Sequence, residues 1–167
     1  MNVIAQQAIP TIPGTPFQGG FFVARYFVAG EEYVLIDAAA AGEILAAWGA
    51  YRQDVATDST DGAANTRAMA EAESPLALKA VALEINGFTD WYIPSRHEQA
   101  LQYFSLLNAE GYQAGQPNAF TRRGHWSSTQ YSPYYAWIQG FDVGVQRHAL
   151  KGSEFRARAV RRFKVTP

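Results

Sequence analysis

The sequence predicts an α+β domain, and three observations support this prediction. Two β-rich runs, residues 21–29 and 32–38, are joined by Gly30-Glu31 in a pattern typical of a hairpin. Segments with helical spacing occupy the middle of the chain. The stretch 125–162 is dense in aromatic and small polar residues and is divided by proline and glycine into runs of strand length. We therefore expect this stretch to form an antiparallel meander that leaves aromatic side chains on a surface.

Composition limits the classes of protein that this chain can belong to. Its 167 residues, 48% of them apolar, suit one domain with a sizeable core. Fourteen basic and fifteen acidic side chains give a net charge of −1, so we expect neither nucleic-acid binding nor an anionic membrane partner. Cysteine is absent, which excludes disulfides and thiolate sites. No run of about 18 apolar residues and no signal-peptide pattern is present, so no membrane insertion is expected.

The first 18 residues predict an extended arm that precedes a single domain at 19–167. Pro10, Pro13 and Pro16 recur at a spacing of three, which favours an extended, polyproline-like course and disfavours a helix. Two interpretations stay open. The arm is either a frayed terminus or a tether that lies on a neighbouring subunit, as its apolar isoleucines suggest.

Two helical segments are predicted between the strand-rich ends. The alanine-rich run 65–83 is interrupted at Ser74-Pro75, which indicates a kink or two short helices. Ser95 and Glu98 form a capping box that starts another helix, whose apolar positions at 100, 101, 104 and 107 have helical spacing. Residues 38–47 are ambiguous between helix and loop. Asn86-Gly87 predicts a turn before a short strand at 91–93.

The sequence contains no pattern typical of catalysis or metal binding. His97, His125 and His148 are far apart and none belongs to a ligand pair, and no nucleophile elbow or phosphate loop is present. The triplet at 116–118, Gln-Pro-Asn, is like a calcium-binding triplet of C-type lectins. However, Trp126 is followed by Ser127-Ser128 instead of the required carboxylate donor, so no calcium site is expected. We expect no enzyme activity, no cofactor and no metal.

The arginines near the end of the chain predict an ion pair around one partly buried arginine. Strand alternation places Arg161 on the same face as Phe155 and Phe163. Arg161 should therefore be partly buried and paired, with Asp90, Glu98 or Asp142 as candidate partners.

Several motifs together resemble one family. GFTDWYIPSRHEQ, HWSSTQYS, AWIQGF, Lys151 and RARAVRRF occur in an order and spacing similar to the C-terminal domain family of the Legionella collagen-like adhesin. The opening GTPFQGGFFVARYFVAGEEYVLIDA, with DGAANTRAMAEAES, looks more narrowly like the phage-borne branch of that family.

The resemblance implies a C-type-lectin-like fold of the formylglycine-generating-enzyme type, with two helices, a mostly antiparallel sheet and a ligand-facing C-terminal meander. The cysteines that serve copper chemistry in those enzymes are absent, which excludes their activity. Positions that match the motifs are expected to be scaffold: Trp91, Pro94, Trp126, Ser127, Ser128, Trp137, Phe141 and Arg161. Positions between the motifs are expected to bind ligand: Tyr131, Tyr134, Tyr135, Ile138, Gln139, Asp142, Val143, Gln146, Arg147 and His148.

The function that follows from this resemblance is a bacteriophage virion protein. We expect a receptor-binding or decoration domain, associated with a tail or fibre, that contacts a bacterial surface ligand. Its arm would bind other virion proteins in a homo-oligomer, on the tail or capsid surface, after assembly in the host cytoplasm. Two alternatives stay open: a purely structural capsid or baseplate component, and a tail-fibre assembly factor.

Overall fold

The chain forms an α+β fold with mostly antiparallel sheets, as the sequence predicts. The computed structural model describes the backbone of residues 3–5 and the backbone and side chains of residues 8–167. Three α-helices lie in these residues: α1 Gly62–Glu71, α2 Pro75–Val81 and α3 Arg96–Leu106. The ten strands in the same residues are β1 Val3–Ala5, β2 Pro16–Phe17, β3 Gly20–Val28, β4 Glu31–Asp37, β5 Glu43–Ala47, β6 Gly124–Gln130, β7 Tyr135–Gly140, β8 Gln146–Leu150, β9 Glu154–Arg158 and β10 Val160–Thr166.

The strands form two sheets of five strands each. The first has the order β1-β10-β4-β3-β2 and the second the order β5-β9-β6-β7-β8. Neighbouring strands are antiparallel except in the pairs β1–β10 and β6–β9. The predicted meander corresponds to β6, β7 and β8, whereas β9 returns beside β6 and β10 joins the other sheet.

The N-terminal segment contributes strands to the domain's own first sheet. Val3 pairs with Lys164 on β10, and Phe17 pairs with Gly20 on β3. Residues 1, 2, 6 and 7 of the predicted arm lie outside the described residues. The binding of this arm to neighbouring subunits stays a prediction.

Residues 43–47 are a strand, so the expectation of helix or loop is wrong there. A 3-10 turn at Ala39–Gly42 leads into β5, which pairs along its whole length with β9. Gly42 is required at this turn because a Cβ on it would lie 2.3 Å from the Ala38 Cβ. The strand is decided by its distant partner, since its alanines carry little strand preference of their own.

The predicted interruption at Ser74-Pro75 is confirmed. Ser74 caps α2, because its Oγ accepts a hydrogen bond from the Ala77 N–H at 3.1 Å. The same hydroxyl donates to the Trp48 carbonyl at 2.5 Å and thereby ties the helix start to the segment after β5. Pro75 occupies the first turn, where its missing N–H costs nothing.

The predicted capping box of α3 is also confirmed, but the buried side of this helix is largely polar. Ser95 and Glu98 exchange both capping hydrogen bonds. Glu98 is fully buried and also accepts hydrogen bonds from the Tyr26 and Tyr92 hydroxyls, each at 2.5 Å. Burial and the adjacent Glu98 charge raise the pKa of both tyrosines well above the ordinary value. By contrast, Phe104 and the C-cap residue Leu107 are exposed.

The core consists of three packed clusters. One lies between the helix pair α1–α2 and the second sheet and contains Met69, Leu76 and Trp126. The other two involve the first sheet, α3 and the segment around Trp91. Burial of each large apolar side chain contributes about 1.5–3 kcal/mol, so these clusters fix the sheets against the helices. No helix among the described residues has the length and apolar character needed to cross a membrane.

Candidate functional site

A group of aromatic rings covers one side of the β6–β7–β8 meander. We refer to Tyr131, Tyr135, Trp137 and His148 as the aromatic face. The Tyr131 ring stacks on the His148 imidazole with centroids 4.2 Å apart, and it meets Trp137 edge-on at 5.2 Å. Tyr135 contacts His148 at 4.9 Å. Because such ring contacts add about 0.5–1.5 kcal/mol each beyond burial, the rings hold one another in a defined arrangement.

Strand alternation explains how these rings come together. Tyr135 and Trp137 are two residues apart on β7 and therefore point to the same side of the sheet. Trp137 lies directly opposite His148 in the β7–β8 register. Tyr131 follows β6, and its N–H donates to the Tyr135 carbonyl at 2.9 Å. The neighbouring Ala136 faces the core, so the sheet separates the rings from the apolar interior.

Arg96 is held against the edge of the aromatic face. Its guanidinium carbon lies 3.6 Å from the Trp137 ring centroid, within cation–π distance. Its Nε and Nη2 donate to the Gln146 Oε1 at 3.1 and 2.8 Å, and Gln146 Nε2 donates back to the Arg96 carbonyl. A donor fixed in this way costs little conformational entropy when a ligand acceptor binds.

A second pair of tyrosines lies beyond the β6–β7 turn. Tyr134 and Tyr51 are both exposed, and their rings meet edge-on with centroids 5.1 Å apart. The Arg52 guanidinium lies over both rings at 5.6 and 5.9 Å. This pair adds a further aromatic and cationic contact surface.

Lys151 fixes the segments that carry these two tyrosines. Its Nζ donates to the Gln53 carbonyl at 2.6 Å and to the Gln130 Oε1 at 2.5 Å, and it lies 4.6 Å from the Trp48 ring centroid. The backbone N–H of Lys151 donates to the Tyr134 carbonyl. The side chain is fully buried, and this burial lowers the pKa of the ammonium from 10.5 to about 8, although Asp54 opposes the shift.

The ten residues predicted to bind ligand fall into separate places. Tyr131, Tyr135 and His148 belong to the aromatic face, with Gln146 and Tyr134 beside it. Arg147 is exposed, and the β7–β8 register places it opposite the core-facing Ile138 instead of beside the rings. Asp142 and Val143 lie at the tip of the β7–β8 hairpin.

Two of the ten predicted residues have buried side chains, and neither belongs to the aromatic face. Ile138 faces the core opposite Trp126, and it is 6% exposed. Gln139 is fully buried, and its Nε2 donates to the Gly144 carbonyl at 3.3 Å. Ile138 follows the alternation of β7, whereas Gln139 is covered by the hairpin turn, which sequence alone does not place.

The tip of the β7–β8 hairpin packs on α3 and forms an apolar surface. A Cβ on Gly144 would lie 2.5 Å from the Tyr103 Cε1, so only glycine permits this approach. We refer to Phe104, Leu107, Val143 and Val145 as the hairpin patch. All four are exposed, Phe104 by 63% and Val143 by 68%.

Most motif positions expected to be scaffold are buried. Trp91, Pro94, Trp126, Ser127, Ser128, Phe141 and Arg161 lie in the interior. Trp137 differs, because it is only half-buried and belongs to the aromatic face.

The predicted partner of Arg161 is Asp90. Two hydrogen bonds of 2.7 and 3.0 Å join the guanidinium to the carboxylate. The guanidinium also donates to the Gln18 carbonyl and lies 3.7 Å from the Phe88 ring centroid. The prediction of a buried, paired arginine is therefore confirmed, and the pair ties the first sheet to the loop before α3.

Sequence reasoning missed three residues of this region. These are Arg96, Tyr51 and Arg52, which no sequence pattern singles out as contacts of the aromatic rings. Their positions near the aromatic face depend on the loop after β5 and on the start of α3, which are distant in sequence. Arg96 has a weak signal in the sequence, since the capping box at Ser95 fixes it as the first residue of α3.

The groups on the aromatic face can stack against and hydrogen-bond to a partner molecule. In the part of the chain that the structure describes, no group of three or more His, Cys, Asp or Glu side chains could hold a metal ion. The surface offers ring faces, phenol hydroxyls and a fixed guanidinium, which are the groups that recognition surfaces use.

Comparison with protein-family models gives no match for this chain. A search of curated proteins likewise gives no match.

Proposed function

We propose that this chain is a recognition domain of a bacteriophage particle, associated with a tail or fibre, that contacts a bacterial surface ligand through the aromatic face. The observation that carries the binding part of this proposal is the ordered group of rings around Tyr131 and Trp137, with Arg96 fixed beside it. The phage assignment rests on the motif resemblance and on its C-type-lectin-like implication.

The chemistry of the aromatic face favours a carbohydrate. Sugar rings present C–H groups that pack on aromatic faces and hydroxyls that pair with fixed donors. Trp137 offers a ring face, the Tyr131 and Tyr135 hydroxyls offer polar contacts, and Arg96 adds a cationic donor. Rigid aromatic side chains provide this contact area at low entropic cost.

Tryptophan fluorescence offers a direct test, because Trp137 is the half-buried tryptophan and Trp48, Trp91 and Trp126 are each at most 2% exposed. Surface polysaccharide purified from a susceptible bacterium should change the emission and protect Trp137 from acrylamide quenching. The variant Trp137→Phe should lose this signal. The variant Tyr131→Ala should weaken binding about tenfold or more, as expected for a loss above 1 kcal/mol.

The matched control is Phe27→Ala, which removes an exposed aromatic side chain on β3, outside the aromatic face. This variant should bind the polysaccharide like the parent protein. Equal losses from Tyr131→Ala and Phe27→Ala would show that the aromatic face is not the binding surface. Mass spectrometry of purified particles tests the virion assignment separately, since absence from the particle excludes it.

A purely structural role in the particle is the second candidate, and the hairpin patch favours it. Clustered exposed apolar side chains mark protein–protein contacts. Under this alternative, Val143→Asp lowers particle yield, while Tyr131→Ala changes neither yield nor adsorption. Under the receptor-binding proposal, Tyr131→Ala lowers adsorption and leaves yield unchanged.

A further inference from the structure

The strand β8 has an unpaired edge. It is the last strand of its sheet, and no strand lies on its outer side in the described residues. The Lys151 N–H donates to the Tyr134 carbonyl, and antiparallel pairing repeats this bonding at every second residue. The backbone groups of Ala149 and Arg147 therefore face β7, and those of His148 and Gln146 point outward. An outward row of this kind is a template for an added strand.

A cavity of about 330 Å³ adjoins this edge on the side opposite the aromatic face. Its apolar lining includes Ile138, Ala149 and Phe155. Gly124 keeps the space open, because a Cβ there would lie 3.1 Å from the Ile138 Cδ1 and would narrow the entrance. The volume is sufficient for one large apolar side chain.

Three arginines surround this space without a protein partner. Arg123 and Arg147 line the cavity, and Arg156 lines a neighbouring one that shares Arg123, Gly124 and Phe155 with it. Within residues 8–167, none of the three guanidinium groups forms an ion pair or a hydrogen bond. An arginine fork in this state is suited to a carboxylate.

Carboxylates are also present in these walls, and they narrow the choice of ligand. Asp142 lines the first cavity and Glu154 the second. A uniform polyanion such as nucleic acid would meet both carboxylates along its length and would be repelled by them. A chain with spaced carboxylates avoids this repulsion, and an apolar side chain between them can enter the cavity.

We infer that the edge of β8 binds an extended acidic segment of another protein. The segment pairs with the outward backbone groups of β8, inserts one apolar side chain beside Phe155, and places its carboxylates against Arg123 and Arg147. Backbone pairing supplies affinity in this mode of recognition, and the pocket and charges supply specificity. The inference concerns the edge of β8 and the cavity beside it. It does not depend on the ligand of the aromatic face, although His148 contributes its ring to that face and its backbone to the edge.

The test uses a fluorescent peptide of about ten residues in which glutamate alternates with valine around a central phenylalanine. Binding to the whole chain is measured by anisotropy. Arg147→Glu should weaken binding at least about tenfold through charge repulsion, and Ala149→Phe should do the same by filling the cavity. Arg67→Glu is the matched control, since Arg67 is an exposed arginine on α1 that lines neither cavity, and it should change binding less than about twofold.

Two further measurements separate the proposal from its alternatives. Hydrogen exchange at the Gln146 and His148 amides should slow in the presence of the peptide. A peptide with glutamine in place of glutamate should bind at least about tenfold more weakly. Circular dichroism of each variant verifies that the fold is retained.

Several results would overturn the inference. These are no binding of the acidic peptide at millimolar concentration, equal effects of Arg67→Glu and Arg147→Glu, or unchanged exchange along β8. Binding of polygalacturonate without binding of the peptide would assign the arginines to an acidic polysaccharide instead. Concentration-dependent self-association that Ala149→Phe abolishes would show that the edge pairs with a second copy of this chain.

Discussion

Replacement of Lys151 by methionine tests the role of the buried ammonium that joins the segments carrying Tyr51 and Tyr134. Methionine has a similar length and no charge, so it retains the packing against the Trp48 ring. The change removes the hydrogen bonds to the Gln53 carbonyl and the Gln130 Oε1. At pH 7 these losses are offset by relief from burying a charge, so the free energy of unfolding should change by less than about 1 kcal/mol.

The two proteins should differ in their dependence on pH. The pKa of Lys151 is about 8 in the folded protein and near 10.5 when the chain is unfolded. Between these values the unfolded chain binds more protons than the folded one, so the free energy of unfolding rises with pH. This lowering of the Lys151 pKa corresponds to a rise in the free energy of unfolding of at most roughly 3 kcal/mol from pH 8 to above 10.5. Above pH 10, ionisation of tyrosines in the unfolded chain opposes the rise, because burial raises the pKa of Tyr26, Tyr92 and Tyr112 in the folded protein.

The measurement is urea unfolding of both proteins at several pH values from 8 to 10. The parent protein should gain stability over this range relative to Lys151→Met, and all other titrating groups cancel in the difference. Parallel pH profiles would refute the reasoning, since they would mean that Lys151 titrates alike in the folded and unfolded chains. Loss of the Tyr51–Tyr134 contact in the variant would be visible in near-UV circular dichroism.

Three further substitutions test how the surface is held. Arg161→Met should lower the free energy of unfolding by about 2–4 kcal/mol in urea titration, because the buried guanidinium makes two hydrogen bonds to Asp90 and one to the Gln18 carbonyl; a loss below about 1 kcal/mol would contradict this. Gly144→Ala should destabilise the protein by about 1–3 kcal/mol, more than Gly87→Ala, because both have positive φ but only Gly144 would meet Tyr103; equal losses would show that the contact is unimportant. Ser95→Ala should lower the melting temperature by removing the cap of α3, at a cost of about 1 kcal/mol, and an unchanged melting temperature would argue against the capping box.

Local sequence signals were sufficient to predict those elements whose start, end or turn is determined by a few neighbouring residues. The hairpin of β3 and β4, the interruption at Pro75 and the start of α3 at Ser95 depend on turn residues, a missing N–H and a cap. The pairing of Arg161 was also predictable in kind, because a charge beside an apolar strand neighbour such as Phe163 requires a partner. The expected shared face with Phe155 is wrong, since Phe155 lies on β9 of the second sheet and Arg161 on β10 of the first. The choice of Asp90 among three candidates required the fold.

Contacts between distant segments decided the remaining elements, among them β5 and the buried side of α3. β5 is a strand because β9 pairs with it, although its alanines have no strong strand preference. The buried side of α3 carries Glu98, Gln99 and Gln102, since these groups find hydrogen-bond partners on other elements, and the apolar Phe104 stays outside.

The sequence by itself determined that this protein exposes an aromatic surface on a C-terminal meander, because alternation along β7 and the turn at Ser132-Pro133 depend only on neighbouring residues. Only the tertiary structure decided which residues form that surface. It buried Gln139 beneath a hairpin turn and brought Arg96 and Tyr51 to the rings from distant segments. Side-chain burial depends on what packs over a strand, and that is fixed by contacts between parts of the chain that local patterns do not relate.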